Sequence, residues 1–176
     1  MSTANVSNMN IVKTILEMFE QRDYSDISLD DTYITAIKED GNVVKAFINT
    51  IQKLNVTEIQ GCISKLQEEK INHGLIVYNG VPTSVVKVII SNIEELGIHL
   101  EIFQQCDLQY NITKHILVPK HIKLAKDESS QFKTNYGINI PVLLKTDSVC
   151  KFYDFSKGDI IKVIRRDGFV SFRIVR

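Results

Sequence analysis

Phe155-Ser156-Lys157-Gly158-Asp159-Ile160-Ile161-Lys162-Val163-Ile164-Arg165-Arg166-Asp167-Gly168-Phe169-Val170-Ser171-Phe172-Arg173-Ile174-Val175-Arg176 closes this chain. Two apolar runs, 160–165 and 169–175, flank Arg166-Asp167-Gly168. An Asp-Gly pair between such runs predicts a tight hairpin, because glycine accepts the positive φ that the turn requires. Phe169 and Phe172 read as core side chains of that hairpin. Upstream, Asp147 is placed to cap a helical turn through Val149 and Phe152. Asn139-Ile140-Pro141-Val142-Leu143 is an extended apolar segment, and Asp127 to Tyr136 a short polar helix closed by Gly137. Further back lies Asn111-Ile112-Thr113-Lys114-His115-Ile116-Leu117-Val118-Pro119-Lys120-His121-Ile122-Lys123-Leu124, where Pro119 biases Val118 towards extended backbone. The last third therefore reads as a compact, strand-rich module.

It is also basic. Residues 111–176 carry 13 Lys/Arg against 6 Asp/Glu, a net of +7, whereas residues 1–110 carry 8 against 15, a net of −7. The whole chain of 176 residues is neutral, so the totals conceal two halves suited to different partners. A domain boundary is expected near residue 110, giving units 1–110 and 111–176. With 44% apolar residues the chain can build a real core. Cys62, Cys106 and Cys150 are far apart and form no CxxC, which points to neither a disulfide framework nor a zinc site. The Ser/Asn-rich residues 1–10 resemble neither a signal peptide nor a transit peptide. No apolar run approaches a membrane span, so no membrane partner is expected.

The first half alternates element types. Asn8 or Asn10 is positioned to cap a helix whose Ile11, Val12, Ile15, Leu16 and Phe19 share one face. Ser28-Leu29-Asp30-Asp31 is expected to open a second, short helix through Tyr33, Ile34 and Ile37. Val43 to Ile51 is a strand by its β-branched and aromatic content. Thr57-Glu58-Ile59-Gln60 has the form of a capping box and opens a helix that Asn72-His73-Gly74 should stop. A strand at 75–78, a helix from Pro82-Thr83-Ser84 to Gly97 and a strand at 98–103 follow. Strand, helix, strand, helix, strand implies an α/β layer with at least partly parallel pairing. Beyond it, Leu108, Tyr110 and Ile112 alternate with polar residues as in a half-buried strand.

Chemistry-bearing motifs are missing. The four histidines (73, 99, 115 and 121) match no metal-ligand spacing and are taken as packed or surface imidazoles; no metal, no cofactor and no small-molecule substrate are assigned. GxSxG, GxGxxG and Walker patterns do not occur, so no catalytic residue is assigned. Glu68-Glu69-Lys70 ends a helix and reads as a solvated face rather than a nuclease centre. Lys162, Arg165, Arg166, Arg173 and Arg176 gather on or beside the terminal hairpin. Without interleaved exposed aromatics they are weak as a single-strand platform and suit an acidic protein partner equally well.

These residues carry a family likeness. The run from Asn111 to His121 resembles the Asn-Ile-Thr-x-His-x-Leu-Val-Pro-x-His pattern of the shared fifth subunit of eukaryotic nuclear RNA polymerases, a family with an archaeal counterpart that lacks the amino-terminal domain. Ile140-Pro141-Val142-Leu143, Asp147-Ser148-Val149 with Phe152 and Tyr153, Lys157 to Arg165, and Phe172-Arg173-Ile174-Val175-Arg176 follow in the family's order. The amino-terminal part is similar but looser, with Tyr78 and then Pro82-Thr83-Ser84 where the family opens a helix. Ser148 stands where the family has proline, the hairpin turn is trimmed, and the chain is shorter than cellular members, which fits a large DNA virus or a reduced eukaryote.

The resemblance implies an α/β (α+β) protein. Residues 1–110 would form a jaw domain of mixed sheet and flanking helices, nuclease-like in fold without nuclease activity, and residues 111–176 a small mixed-sheet assembly domain. It implies a non-catalytic subunit of a DNA-directed RNA polymerase, docked on the largest subunit, with the jaw beside downstream duplex DNA. Leu117, Val118, Pro119, His121, Lys157, Gly158, Lys162, Arg165, Arg166 and Arg173 are the expected subunit-interface residues, and Thr83, Ser84 and Lys87 the expected DNA-proximal ones. The compartment would be the nucleus for a cellular protein, or the virion or host cytoplasm or nucleus for a viral one. Two alternatives remain: a free-standing transcription-associated interaction protein, and a nuclease on the amino-terminal unit.

Overall fold

The computed structural model describes residues 3–51, 54–82 and 84–176, with side chains at all of these except 3–7, 49, 50, 87 and 91. The chain divides into two compact units, residues 1–110 and 111–176. No helix among the described residues is long and apolar enough to cross a membrane.

In the first unit, α1 (Thr3–Gln21) precedes β1 (Tyr24–Leu29), β2 (Tyr33–Lys38) and β3 (Val43–Ile51); α2 (Val56–Glu68), β4 (His73–Tyr78), α3 (Ser84–Glu95) and β5 (His99–Gln104) follow. The strands form one sheet in the order β1-β2-β3-β4-β5. β1, β2 and β3 pair antiparallel, and β3, β4 and β5 pair parallel through the two crossover helices, as the alternation of elements predicts. Strand residues alternate between faces. Ile34, Ala36, Val44, Ala46 and Leu75 on one face are buried, as are Ile11, Ile15, Met18 and Phe19 of α1, which packs beside β1 and β3. Phe47, Ile76 and Leu100 on the other meet Ile59, Leu66 and Ile71 around α2 and Val86 and Ile93 of α3.

Several expectations need correction. Asn8 and Asn10 lie inside α1, which already runs from Thr3. Residues 28–37 belong to the β1–β2 hairpin, not to a helix: Ile34 and Ile37 fit helical spacing, but Ile34 and Ala36 are the buried pair, a period of two. The turn is held by Asp30, whose N–H donates to the Tyr33 carbonyl at 2.8 Å while its carboxylate accepts from the Asp31 N–H at 2.9 Å. α2 is capped by Asn55, whose side chain accepts from the Glu58 N–H at 2.9 Å, rather than by Thr57. Leu108 to Thr113 is not a strand. It breaks into two short 3-10 turns because the Asn111 side chain captures the Thr113 N–H at 2.9 Å and the Thr113 hydroxyl at 2.6 Å.

Gly74 does not stop α2. That helix ends at Glu68, and Lys70 turns the chain away in left-handed backbone (φ +58°), with the Ile71 N–H reaching back to the Leu66 carbonyl at 2.8 Å. Gly74 lies inside β4, where a Cβ would sit 2.5 Å from Leu66 Cδ1 and 2.9 Å from Leu100 Cδ1. Glycine is needed there because α2 and β5 close directly over the strand.

In the second unit, a 3-10 turn at residues 112–114 leads to β6 (Lys120–Lys123), α4 (Lys126–Tyr136), β7 (Val142–Leu143), α5 (Ser148–Tyr153), β8 (Ile160–Ile164) and β9 (Val170–Val175). The sheet order is β6-β8-β9-β7, mixed because β7 runs parallel to β9. Asp147 caps α5 as expected, accepting from the Val149 and Cys150 N–H groups. Leu143, Ile161, Val163 and Val175 pack under Cys150, Tyr153 and Phe155. The hairpin turn closes with the Gly168 N–H on the Arg165 carbonyl at 3.0 Å and Gly168 at φ +84°. Phe169 at its rim is exposed rather than core, lying under the Arg165 guanidinium at 5.6 Å. Phe172 instead stacks on Phe132 of α4, centroids 4.6 Å apart.

Candidate interaction surfaces

Strand register decides which expected interface residues share a face. On the central hairpin, Lys162 is opposite Phe172 and Ile161 opposite Arg173. Lys162 therefore belongs to the face that α4 partly covers, and Arg173 to the face under α5. Arg165 and Arg166 are exposed at the hairpin tip. Lys162 and Arg173 are therefore on opposite faces of the sheet, and Arg165 and Arg166 stand together at its tip.

The other expected interface residues lie on connecting segments. Leu117 is 82% exposed with Ile116 exposed beside it, held on a turn where the His115 carbonyl accepts from the Val118 N–H at 2.9 Å and His115 Nδ1 from the Leu117 N–H at 3.2 Å. Such exposure of two adjacent large aliphatics suits a covered surface. Val118 and Pro119 are half-buried. His121 is half-buried on β6 and donates from Nδ1 to the Pro119 carbonyl at 2.8 Å; burial pushes its pKa below the ordinary value. Lys157 is exposed. Gly158 adopts φ +92°, donates to the Val175 carbonyl at 2.9 Å and accepts from Lys133 Nζ at 3.0 Å. Its role in this fold is to turn the chain into β8.

Of the expected DNA-proximal residues, Ser84 is exposed as the first residue of α3. Thr83 lies outside the described residues, and so does the side chain of Lys87.

Two polar networks in the first unit carry no sequence motif. Arg22, at the end of α1, donates to both carboxylate oxygens of Glu101 on β5, at 2.6 and 2.8 Å. Their side chains are only 4% and 8% exposed. His73 Nε2 donates to the same carboxylate at 2.8 Å, and the Tyr24 hydroxyl lies 3.3 Å from His73 Nδ1. Burial alone would raise the Glu101 pKa, but the Arg22 charge and the His73 hydrogen bond outweigh it and hold the carboxyl well below the usual range. His73, His99 and Glu101 are ligand types on neighbouring strands, yet Glu101 is already saturated by a guanidinium, so the arrangement is that of a buried ion pair fastening α1 to the sheet. In the second network Lys45 pairs with Glu69 and lies 4.6 Å above the Tyr33 ring, and Lys65 bonds the Tyr33 hydroxyl and lowers its pKa. Glu69 is thus an ion-pair partner as well as part of a solvated face. Its partner in this network is Lys45, which is a cation rather than a metal-sharing carboxylate.

The buried thiols of Cys62 and Cys150 are pushed up to about 11 by desolvation, as befits inert core residues.

Comparison with known proteins fits this picture. The family described as RNA polymerase Rpb5, C-terminal domain, matches residues 110–175. A protein of Invertebrate iridescent virus 6 named putative DNA-directed RNA polymerase subunit 454R is 32% identical over 178 residues, covering 91% of this chain and 95% of its own. The Dictyostelium discoideum protein named DNA-directed RNA polymerases I, II, and III subunit rpabc1 is 29% identical over 89% of each chain. The Caenorhabditis elegans subunit RPABC1 is 25% identical over 70% of this chain and 61% of its own. Both units are covered by the first two alignments, and the second unit is matched independently, so the chain belongs to the RNA polymerase Rpb5 family.

Proposed function

We propose that this chain is a non-catalytic subunit of a multi-subunit DNA-directed RNA polymerase. Residues 111–176 act as the assembly domain that docks on the largest subunit, and residues 1–110 as a jaw beside downstream duplex DNA. The observation that carries the reading is the alignment with a viral polymerase subunit through nearly the whole length of both chains. The exposed Ile116-Leu117 turn and the basic hairpin support a docking role for the second unit. Its partners are the largest and other polymerase subunits. Compartment follows the complex: the nucleus for a cellular enzyme, the virion or infected cell for a viral one. What supports DNA proximity is family membership together with the exposed amino end of α3 at Ser84. The acidic balance of residues 1–110 opposes tight binding of free DNA, since phosphate neutralisation needs cations.

Charge reversal of Arg165 and Arg166 to Glu tests the docking role. Both lie at the exposed hairpin tip, so the fold should persist while incorporation into the polymerase falls. Unchanged incorporation would remove that edge from the interface. Tight binding of the isolated chain to duplex DNA in a low-salt gel shift would refute the division of labour between the units.

A further inference from the structure

Part of the second unit's sheet is left without a helix over it. On the α4 side, cross-strand partners form three rows: Val142–Ile174–Ile160, Phe172–Lys162–Ile122, and Val170–Ile164–Lys120. Ile160 and Ile174 in the first row are buried, and Phe172 meets Phe132 of α4. Lys133 of the same helix is anchored on the Gly158 carbonyl, at that end of the sheet. Of the remaining positions, Lys120, Ile122 and Val170 are exposed and Lys162 and Ile164 half-buried. Ile122 is 36% exposed and Val170 40%. Directly opposed residues on such a face have Cβ atoms about 5 Å apart, so these five side chains make one continuous patch.

Its chemistry is specific. Lys162 stands on the middle strand between Ile122 and Phe172, Ile164 beside it between Lys120 and Val170, and no acidic residue occurs among these cross-strand partners. The unit cannot neutralise those lysines readily from its own carboxylates. Asp147 caps α5, Glu128 accepts from the Ala125 N–H, Asp159 binds the Ser156 N–H and Lys123, and Asp167 holds the Phe169 N–H. Four of the six acids are thus spent locally in a unit of net charge +7.

We infer that the Lys120–Ile122–Lys162–Ile164–Val170 patch is a docking face for a protein segment that carries carboxylates beside aliphatic side chains. The inference rests on the docking role proposed above and adds which sheet face is used and what the partner presents. A duplex nucleic acid fits less well, because Ile122, Ile164 and Val170 occupy three of the five positions and would face phosphate without a cation, and none of the five offers a stacking platform. Arg173, on the face covered by α5, lies outside the patch.

The test uses the tagged full-length chain expressed in its native source. Lys162→Glu should lower co-purified polymerase by at least about tenfold, because a charge reversed against a desolvated carboxylate repels it. Lys162→Met should lower it less, and Lys145→Glu, at an exposed position outside the patch, by under twofold. Circular dichroism of each purified variant checks folding, and carbodiimide coupling of the wild-type complex gives a readout without any substitution. That reagent condenses a lysine amine with a neighbouring carboxylate, so Lys120 and Lys162 should be joined to Asp or Glu of a partner subunit. Absence of wild-type chain from the polymerase overturns both this inference and the docking role. Recovery of wild type together with full recovery of Lys162→Glu overturns the face assignment alone, as do cross-links confined to Lys133, Lys145 and Lys157. Loss of duplex binding rather than of polymerase in Lys162→Glu overturns the choice of a protein partner.

Discussion

Replacing Arg22 with Met should be among the most damaging single changes in the first unit. The guanidinium makes two hydrogen bonds to Glu101, at 2.6 and 2.8 Å, and both side chains are almost wholly buried. Methionine keeps much of the aliphatic volume but removes the charge, so Glu101 stays in a desolvated site with His73 as its remaining described donor. Removing one partner of a buried pair costs about 3–5 kcal/mol, and the surviving His73 hydrogen bond places the expectation near 3. For a chain of this size that corresponds to a fall in Tm of roughly 10 °C. Urea unfolding of the full chain, followed by far-ultraviolet circular dichroism, measures the loss. The double variant Arg22→Met/Glu101→Leu removes the orphaned charge and should recover most of it, since an apolar substitute for a buried ion pair is often neutral. A loss below about 1 kcal/mol in the single variant, or no recovery in the double, would refute the view that this pair fastens α1 to the sheet.

Other outcomes follow from the same geometry. Because Glu101 has a depressed folded-state pKa, its contribution should be complete above the ordinary carboxylate value of about 4.3 and be lost as pH falls towards the folded value; the urea midpoint should drop below pH 4 more steeply in wild type than in Arg22→Met. Gly74→Ala should cost about 1–3 kcal/mol by overpacking against Leu66 and Leu100, and less in a Leu66→Val background, read from the two unfolding curves. Asp147→Ala should cost about 1 kcal/mol through loss of the α5 cap, with the larger effect on amide exchange at Val149 and Cys150.

The parallel β3-β4-β5 layer was legible because three apolar strands alternate with two helices whose stops and starts are written in polar residues. The β1–β2 hairpin was not, because Ile34 and Ile37 are three apart, as on a helix, while the buried pair of the strand is Ile34 and the small Ala36, whose apolar signal is weak; only packing in the folded unit selects the period of two. Gly74 looked like a helix stop because glycine serves two ends: left-handed backbone, which Lys70 adopts here, and close approach, which Gly74 allows. The family motifs from Asn111 to Arg176 pointed to an interaction module. They did not show that Lys162 and Arg173 lie on opposite faces, since that depends on hairpin register and on where α4 packs. The Arg22–Glu101–His73 network joins positions up to 79 residues apart and has no local signature.

The most direct measurement of the central claim is quantitative mass spectrometry of the complex captured on this chain, tagged, from its native source. The chain should be recovered in equal stoichiometry with the two largest subunits of a DNA-directed RNA polymerase. Recovery of the chain without those subunits, or of the polymerase without the chain, would contradict it.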